Sequence, residues 1–322
     1  MEIRNGLEGL RSLPPGAVLS IGNYDGIHLG HRRLLELAQA IRARQEGGAR
    51  VGIVTFEPHP LTVLRPELAP PRLTPPAIKQ ALLEAAGVDD YIILPPAPEV
   101  LNLTAEEFWA ILRDQVKPTH LVEGSSFNFG KGRGGNIERL IEWSAGSAIA
   151  LDVVDAMSVP LLNLSVVPVS SSLIRWLLAN GRVRDAAICL GRPYALRGAV
   201  IEGFQRGRSI GVPTANLKCD EQLIPGDGVY VGRCTLAGRS WPAAVSIGSL
   251  PTFQERKHQV EAHLLDYDGD LYGQTIELEL IDWLRDQRKF AGLETLKKQI
   301  FRDILSVRGR WNIHPAQPIA AA

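Results

Sequence analysis

Two histidines three residues apart, His28 and His31, close the stretch Ser20-Ile21-Gly22-Asn23-Tyr24-Asp25-Gly26-Ile27-His28-Leu29-Gly30-His31. A short apolar run, Ala17-Val18-Leu19, precedes it and reads as a buried strand. Leu34, Leu35, Leu37, Ala38 and Ile41 follow and give a helical stripe from about His31 to Arg44. The stretch is therefore a strand-to-helix turn, the place where an open α/β sheet carries its ligand. Gly22, Gly26 and Gly30 let the backbone turn sharply and approach a ligand closely. Two imidazoles beside the free N–H groups of a helix start suit a phosphate chain. The plainer alternative is a pair of polar residues that cap the helix.

Five further clusters have chemistry available. His59, in Glu57-Pro58-His59-Pro60, ends a near-continuous apolar run, Val51–Phe56, of the kind found in a central parallel strand. A glycine-rich turn from Gly124 to Gly135 carries Lys131 and Arg133, a flexible cationic loop suited to phosphates. Ser170-Ser171-Ser172 opens a helix with Arg175 one turn in, so hydroxyls, N–H groups and a guanidinium gather at one helix start. Gly203–Asn216 brings glycines together with Thr214 and Asn216, hard oxygen ligands that Mg²⁺ accepts. Finally, alternation in Val260-Glu261-Ala262-His263-Leu264 puts Glu261 and His263 on the face opposite the apolar residues. Taken alone, that face reads as the wet side of an antiparallel strand.

The elements that must hold these residues fall into two patterns. Up to about residue 186, strands and helices alternate, which predicts a doubly wound, mostly parallel sheet. Thr104-Ala105-Glu106-Glu107 is a capping box opening a helix with Phe108, Ile111 and Leu112 inward. Leu61–Pro76 is proline-rich and reads as an irregular loop or flap. From Tyr194 onward short strands alternate with Gly and Pro turns, predicting a small antiparallel β-barrel, with Asp268-Gly269 as a hairpin turn. Leu293, Leu296, Ile300 and Ile304 have helical spacing and close the second domain. The expected division is α/β domain 1–186, β-barrel domain 187–310 and loose tail 311–322.

In chain order these segments resemble the bifunctional bacterial riboflavin kinase/FMN adenylyltransferase family, the FAD synthetases. The matches are G-x-[FY]-D-G-x-H-x-G-H at 22–31, F-x-P-H-P at 56–60 and S-S-[ST]-x-I-R at 170–175. They continue with G-x-x-x-G-R-x-[IL]-G-x-P-T-A-N at 203–216 and V-E-x-H-x-x-D at 260–266. The H-x-G-H core alone is shared by many nucleotidylyltransferases; the full series is what selects this family. The resemblance implies FMN adenylylation in the first domain, with His28, His31 and Arg175 stabilising phosphate charge. Gly22, Asn23, Asp25, Gly30, Ser126, Lys131, Arg133, Ser170, Ser171 and Ser172 would then contact ATP. In the barrel it implies riboflavin phosphorylation, with Glu261 as general base and Gly207, Arg208, Gly211 and Pro213 around the phosphates. Thr214 and Asn216 would hold Mg²⁺, and His59, Arg285 and Phe290 would contact flavin. Ser126 and Asn136 stand where the family has Asp or Asn and then Asp, and Ser246 where it has Asn. The first two departures open a second reading, a riboflavin kinase whose N-terminal module is weakened or only binds nucleotide. A non-catalytic flavin-binding protein is the rival from another class, and intact Thr214-Ala215-Asn216 with Glu261 argues against it.

Composition fits this picture. The 322 residues suffice for two cores, and Lys+Arg and Asp+Glu balance at 35 each. No global field favours nucleic acid or an acidic membrane. No apolar run reaches the length of a membrane helix, and the start lacks a signal peptide's apolar stretch. Cys189, Cys219 and Cys234 are scattered and show no metal spacing or disulfide framework. A cytoplasmic enzyme of small molecules (ATP, riboflavin and FMN) is expected, with a weak homo-oligomer left open.

Overall fold

The computed structural model describes residues 1–45, 47–202, 211–251 and 256–313. Gly207 and Arg208 therefore lie outside the described residues, as does the tail from residue 314. The chain forms two compact units. The first comprises Met1–Pro70 and Pro76–Ser158, the second Pro71–Pro75 and Val159–Ala322.

The first unit is built on a six-stranded sheet. Its strands are β1 (Glu2–Asn5), β2 (Val18–Ile21), β3 (Val51–Phe56), β4 (Asp90–Leu94), β5 (His120–Gly124) and β8 (Ala150–Val154). The order is β1-β4-β3-β2-β5-β8 and every pairing is parallel. A tiny antiparallel pair, β6 (Asn128–Phe129) with β7 (Gly135–Asn136), lies between β5 and β8 in the chain. Alternate residues explain why the central strands read as unbroken apolar runs. Leu19, Val54, Ile92 and Leu121 pack on one face with Leu10, Leu112 and Leu140. Val18, Ile53, Tyr91 and Val122 pack in clusters on the other, with Leu35, Ala38, Ile41 and Leu83 of the helices Leu29–Arg42 and Pro76–Ala85. Both faces are covered, so no polar face survives.

From β2 the chain moves through β3 to β4, then returns to place β5 on the other side of β2. The loops after β2 and β5 thus leave the sheet where the order reverses, the point at which such sheets bind ligands. The capping box is present, with Thr104 Oγ1 accepting from Glu107 N–H and Glu107 accepting from Thr104 N–H. The proline-rich segment contains a short helix, Leu61–Leu64, and a 3-10 turn, Pro66–Leu68.

The second unit contains β9 (Ser158–Pro160) paired with β10 (Val166–Pro168), two helices, Ser171–Ala179 and Val183–Leu190, and a closed antiparallel barrel. The barrel strands are β11 (Tyr194–Ile201), β12 (Ala215–Cys219), β13 (Gly228–Leu236), β14 (Arg239–Pro251), β15 (Arg256–Leu264) and β16 (Thr275–Arg285). Their order is β11-β12-β15-β14-β13-β16, closing on β11. Closure removes both sheet edges. These two helices, which precede or span residue 187, belong to this unit, and Val183–Leu190 packs against β16. Just before that helix, Gly181 at φ +70° leaves no space for a side chain: a Cβ there would lie 1.7 Å from the Trp283 ring.

Two expectations are corrected here. Asp268-Gly269 joins β15 to β16, but these strands do not pair with each other: β15 lies between β12 and β14, and β16 between β11 and β13. The dipeptide is a crossing between strands that closure keeps apart. The final helix also runs Leu293–Ile313, past the expected end at 310.

Candidate active sites

In the first unit the turn after β2 is held from several sides. Gly22 N–H donates to Val54 O at 2.9 Å. Tyr24, 1% exposed, donates its hydroxyl to Ser20 Oγ at 2.6 Å. Tyr24, Gly26 and Ile27 all adopt left-handed φ, at 47°, 90° and 41°. For the two non-glycine residues this costs on the order of 1–3 kcal/mol each, so the surroundings must impose it. The anchors converge on one carbonyl. Asn23 O accepts from Thr55 Oγ1 at 3.0 Å and from Lys79 Nζ at 3.1 Å. Lys79, only 3% exposed, also pairs with Glu57 at 3.1 Å, so it ties the 22–31 turn to the 56–60 segment. Of the three glycines, only Gly26 uses the left-handed region. Gly30 lies inside the helix, and a Cβ there would press the His28 imidazole at 3.2 Å.

His28 is the N-cap of the helix Leu29–Arg42, and its Nδ1 accepts from His31 N–H at 3.3 Å. Capping and phosphate binding are thus not rivals. With Nδ1 accepting, a neutral ring carries its proton on Nε2, which remains a donor. The two imidazoles stack at 3.6 Å with 14° between planes. Asp25 is buried beside them in the same turn. His59 follows β3, and its Nδ1 accepts from Leu61 N–H at 3.1 Å.

Beneath this turn lies Glu123, the penultimate residue of β5, which is 1% exposed and accepts Ile21 N–H at 2.8 Å. Burial pushes its carboxyl well above the usual range. The hydroxyl of Tyr24 is also pushed up, by burial first and by the neighbouring Glu123 second. On the loop after β5, Lys131 and Arg133 sit exposed on a short 3-10 turn, and Ser126 is exposed. Asn136 caps the helix Ile137–Ala145, its Oδ1 accepting from Arg139 N–H at 3.0 Å. Asn caps a helix as well as Asp does, which gives that departure a structural reason.

In the second unit, Ser170 caps its helix, Oγ accepting from Leu173 N–H at 3.2 Å. Ser171 and Ser172 form that helix's first turn, and Arg175 Nε donates to Pro71 O at 2.8 Å. These four residues therefore belong to a different compact unit from His28 and His31.

The barrel gathers its candidates by strand pairing. Asn216 on β12 stands opposite Glu261 on β15, and Glu261 stands opposite Ser246 on β14. Directly opposed residues of antiparallel strands lie side by side, so the three form one row. Burial follows the expected alternation: Val260, Ala262 and Leu264 are 1%, 0% and 5% exposed, while Glu261 and His263 lie on the other face. Asn216 is oriented by Gln259, whose Nε2 donates to Asn216 Oδ1 at 2.6 Å. His263 Nδ1 donates to Pro213 O at 2.7 Å and pins the segment leading into β12.

Two cavities flank the row. One, of about 560 Å³, is lined by Pro213, Thr214, Ala215, Tyr267, Asp270 and Tyr272. The other, of about 440 Å³, is lined by Asp227, Ser246, Gln259, Glu261, Gln287 and Lys289, among others. Thr214, just before β12, thus lines one cavity, and Glu261 on β15 the other. Gly211, at φ +79°, turns the chain toward β12. Arg285 is committed elsewhere, to Asp303 at 2.7 Å, and Phe290 lines a separate cavity of about 330 Å³ with Arg288 and Lys298. The stretch 287–289, rather than Arg285 or Phe290, is what faces Glu261.

Residues 10–167 match the family model described as FAD synthetase, and residues 190–310 the one described as riboflavin kinase. Over 314 residues the chain is 36% identical to the bifunctional riboflavin kinase/FMN adenylyltransferase of Escherichia coli K12, covering 96% of this chain and 97% of that one. This chain belongs to the bifunctional riboflavin kinase/FMN adenylyltransferase family. The Bacillus subtilis member is 32% identical over 292 residues, covering 89% and 90%. Among solved structures, a Streptococcus pneumoniae protein described as a macrolide-efflux protein matches with a TM-score of 0.86 at 28% identity, over 96% of this chain and 99% of that one. Among the described residues no helix is long and apolar enough to cross a membrane. The helices Ser171–Ala179 and Val183–Leu190 fall almost wholly between the two family models, yet belong to the barrel's unit.

Proposed function

We infer that the chain makes both flavin cofactors in sequence, with one site in each unit. In the barrel, the 5′-hydroxyl of riboflavin attacks the γ-phosphorus of ATP, giving FMN and ADP. Glu261 takes the hydroxyl proton as the O–P bond forms. The row Asn216–Glu261 carries this assignment, because it puts a proton acceptor beside a phosphate-site residue on adjacent strands. Thr214 and Asn216 offer one hydroxyl and one amide oxygen, a neutral pair suited to a magnesium ion that keeps most of its ligands from phosphate and water. When bound, Mg²⁺ neutralises phosphate charge. Gln259 holds Asn216 ready for it.

In the first unit, a phosphate oxygen of FMN attacks the α-phosphorus of a second ATP and pyrophosphate leaves, giving FAD. No protein nucleophile is required. His28 Nε2–H and the free N–H groups of the helix it caps stabilise the charge growing on the phosphates, with Lys131 and Arg133 on the neighbouring loop. Cytoplasmic location, and independence from nucleic acid and membrane, belong to the same reading. Incubating the protein with riboflavin and Mg·ATP and separating the flavins tests it: FAD supports both sites, FMN alone restricts the activity to the barrel, and neither product refutes the reading.

A further inference from the structure

The cavity that holds Glu261 contains a residue that the family motifs leave unassigned. Gln287, two residues beyond β16, reaches back over β14. Its Nε2 donates to Ser246 Oγ at 2.8 Å and to Ile247 O at 3.2 Å. Both amide hydrogens are thereby engaged, and the side-chain plane is fixed. Gly248, the next residue but one on β14, lies against the Gln287 side chain: a Cβ there would be in ordinary contact, 3.4 Å from Gln287 Nε2. Ser246 stands directly opposite Glu261, so the anchored amide lies at the side of the candidate base. What Gln287 has left to offer the cavity is Oε1, a neutral acceptor.

A neutral acceptor beside a general base suits a polyhydroxyl chain. It can take an O–H hydrogen bond without competing for the reactive proton, and it adds no charge to repel ATP. Ser246 is too short to place an amide there itself; holding Gln287 achieves this from another element. We propose that Gln287 accepts a hydrogen bond from a hydroxyl of riboflavin's ribityl chain and so aligns its 5′ end on Glu261, with Ser246 as the positioning residue that orients Gln287. This rests on the reading of the Glu261 cavity as the site of riboflavin phosphorylation.

The test compares wild type with Q287A, S246A and E261Q. Readouts are steady-state FMN formation and flavin binding by fluorescence quenching, using riboflavin and lumiflavin, which has the same ring system but no ribityl chain. Q287A is expected to raise the KM for riboflavin about 3- to 10-fold, the worth of one hydrogen bond. Lumiflavin binding and the KM for ATP should not change. S246A should move the riboflavin KM in the same direction by a smaller factor, because Ile247 O still holds the amide. An unchanged riboflavin KM in Q287A, or an equal loss of lumiflavin binding, overturns the assignment. E261Q separates this from failure of the underlying reading: near-normal FMN formation in E261Q removes the site itself, whatever Q287A does.

Discussion

The two sites are assembled in opposite ways. In the first unit the proposed site centres on one contiguous turn, residues 22–31, at the C-terminal end of β2, which distant residues such as Lys79 hold and the loop after β5 supplements with Lys131 and Arg133. In the barrel no contiguous turn suffices. Asn216, Glu261 and Ser246 come together because three strands pair in one register. A loop site is therefore encoded by local residue types and fails when an anchor such as Lys79 or Tyr24 is lost. A barrel site is encoded by register, and a single-residue slip would turn Glu261 into the interior.

The largest expected effect lies in the barrel. Glu261→Gln keeps the strand and removes the base, so FMN formation should fall about 10²- to 10⁴-fold. Adenylylation of supplied FMN should persist. A near-normal kinase rate would return Glu261 to the role of a solvated strand residue. Next comes the turn. His28→Ala removes an oriented donor and should lower kcat for FAD formation on the order of 10²-fold. The KM for ATP should change less, and riboflavin phosphorylation should not change. An effect confined to KM would make the turn a binding device only.

A third variant asks whether the helices before the barrel belong to it energetically. Gly181→Ala drives a methyl into Trp283 from a left-handed position, and overpacking of this kind costs about 1–3 kcal/mol. The expected result is a lower unfolding midpoint for kinase activity, with FMN adenylylation retained at that temperature. Loss of both activities together would show that the units unfold as one.

The last variant concerns Glu123. Its folded pKa lies above its unfolded value, so its stabilising contribution is complete below the ordinary carboxylate range and is lost as pH rises toward the folded value. Glu123→Gln keeps an acceptor for Ile21 N–H without the titration. Urea unfolding at pH 5 and pH 8 should show the variant gaining on wild type at the higher pH, by at most about 1.4 kcal/mol per pH unit. Parallel pH profiles would mean that Glu123 does not titrate in this range.

The contrast between the sites also explains what could be read from sequence. The turn, the capping box at Thr104 and the alternation around Glu261 depend on local spacing, and all are visible in the chain. Strand β12 was hidden because Thr214-Ala215-Asn216 reads as the end of a glycine-rich loop, and only pairing with β11 and β15 makes it a strand. Asp268-Gly269 has the composition of a hairpin, but barrel closure gives its flanking strands other partners. β1 has the sequence Glu-Ile-Arg-Asn, too polar to be seen without β4 beside it. Lys79, Glu123 and Gln287 carry no local signal. Their roles come from burial or from contacts with residues more than 20 positions away.

Two separately built sites acting in succession should complement one another from separate chains, provided the flavin exchanges through solution. Mixing purified Glu261→Gln with purified His28→Ala, and supplying riboflavin and Mg·ATP, tests it most directly. Neither variant alone should make FAD from riboflavin at more than a small fraction of the wild-type rate. The mixture should make it, because one protein supplies FMN and the other adenylylates it. A mixture that accumulates FMN but no FAD, while Glu261→Gln still converts supplied FMN, would contradict free exchange between the sites; failure of each variant in both half-reactions would contradict their independence.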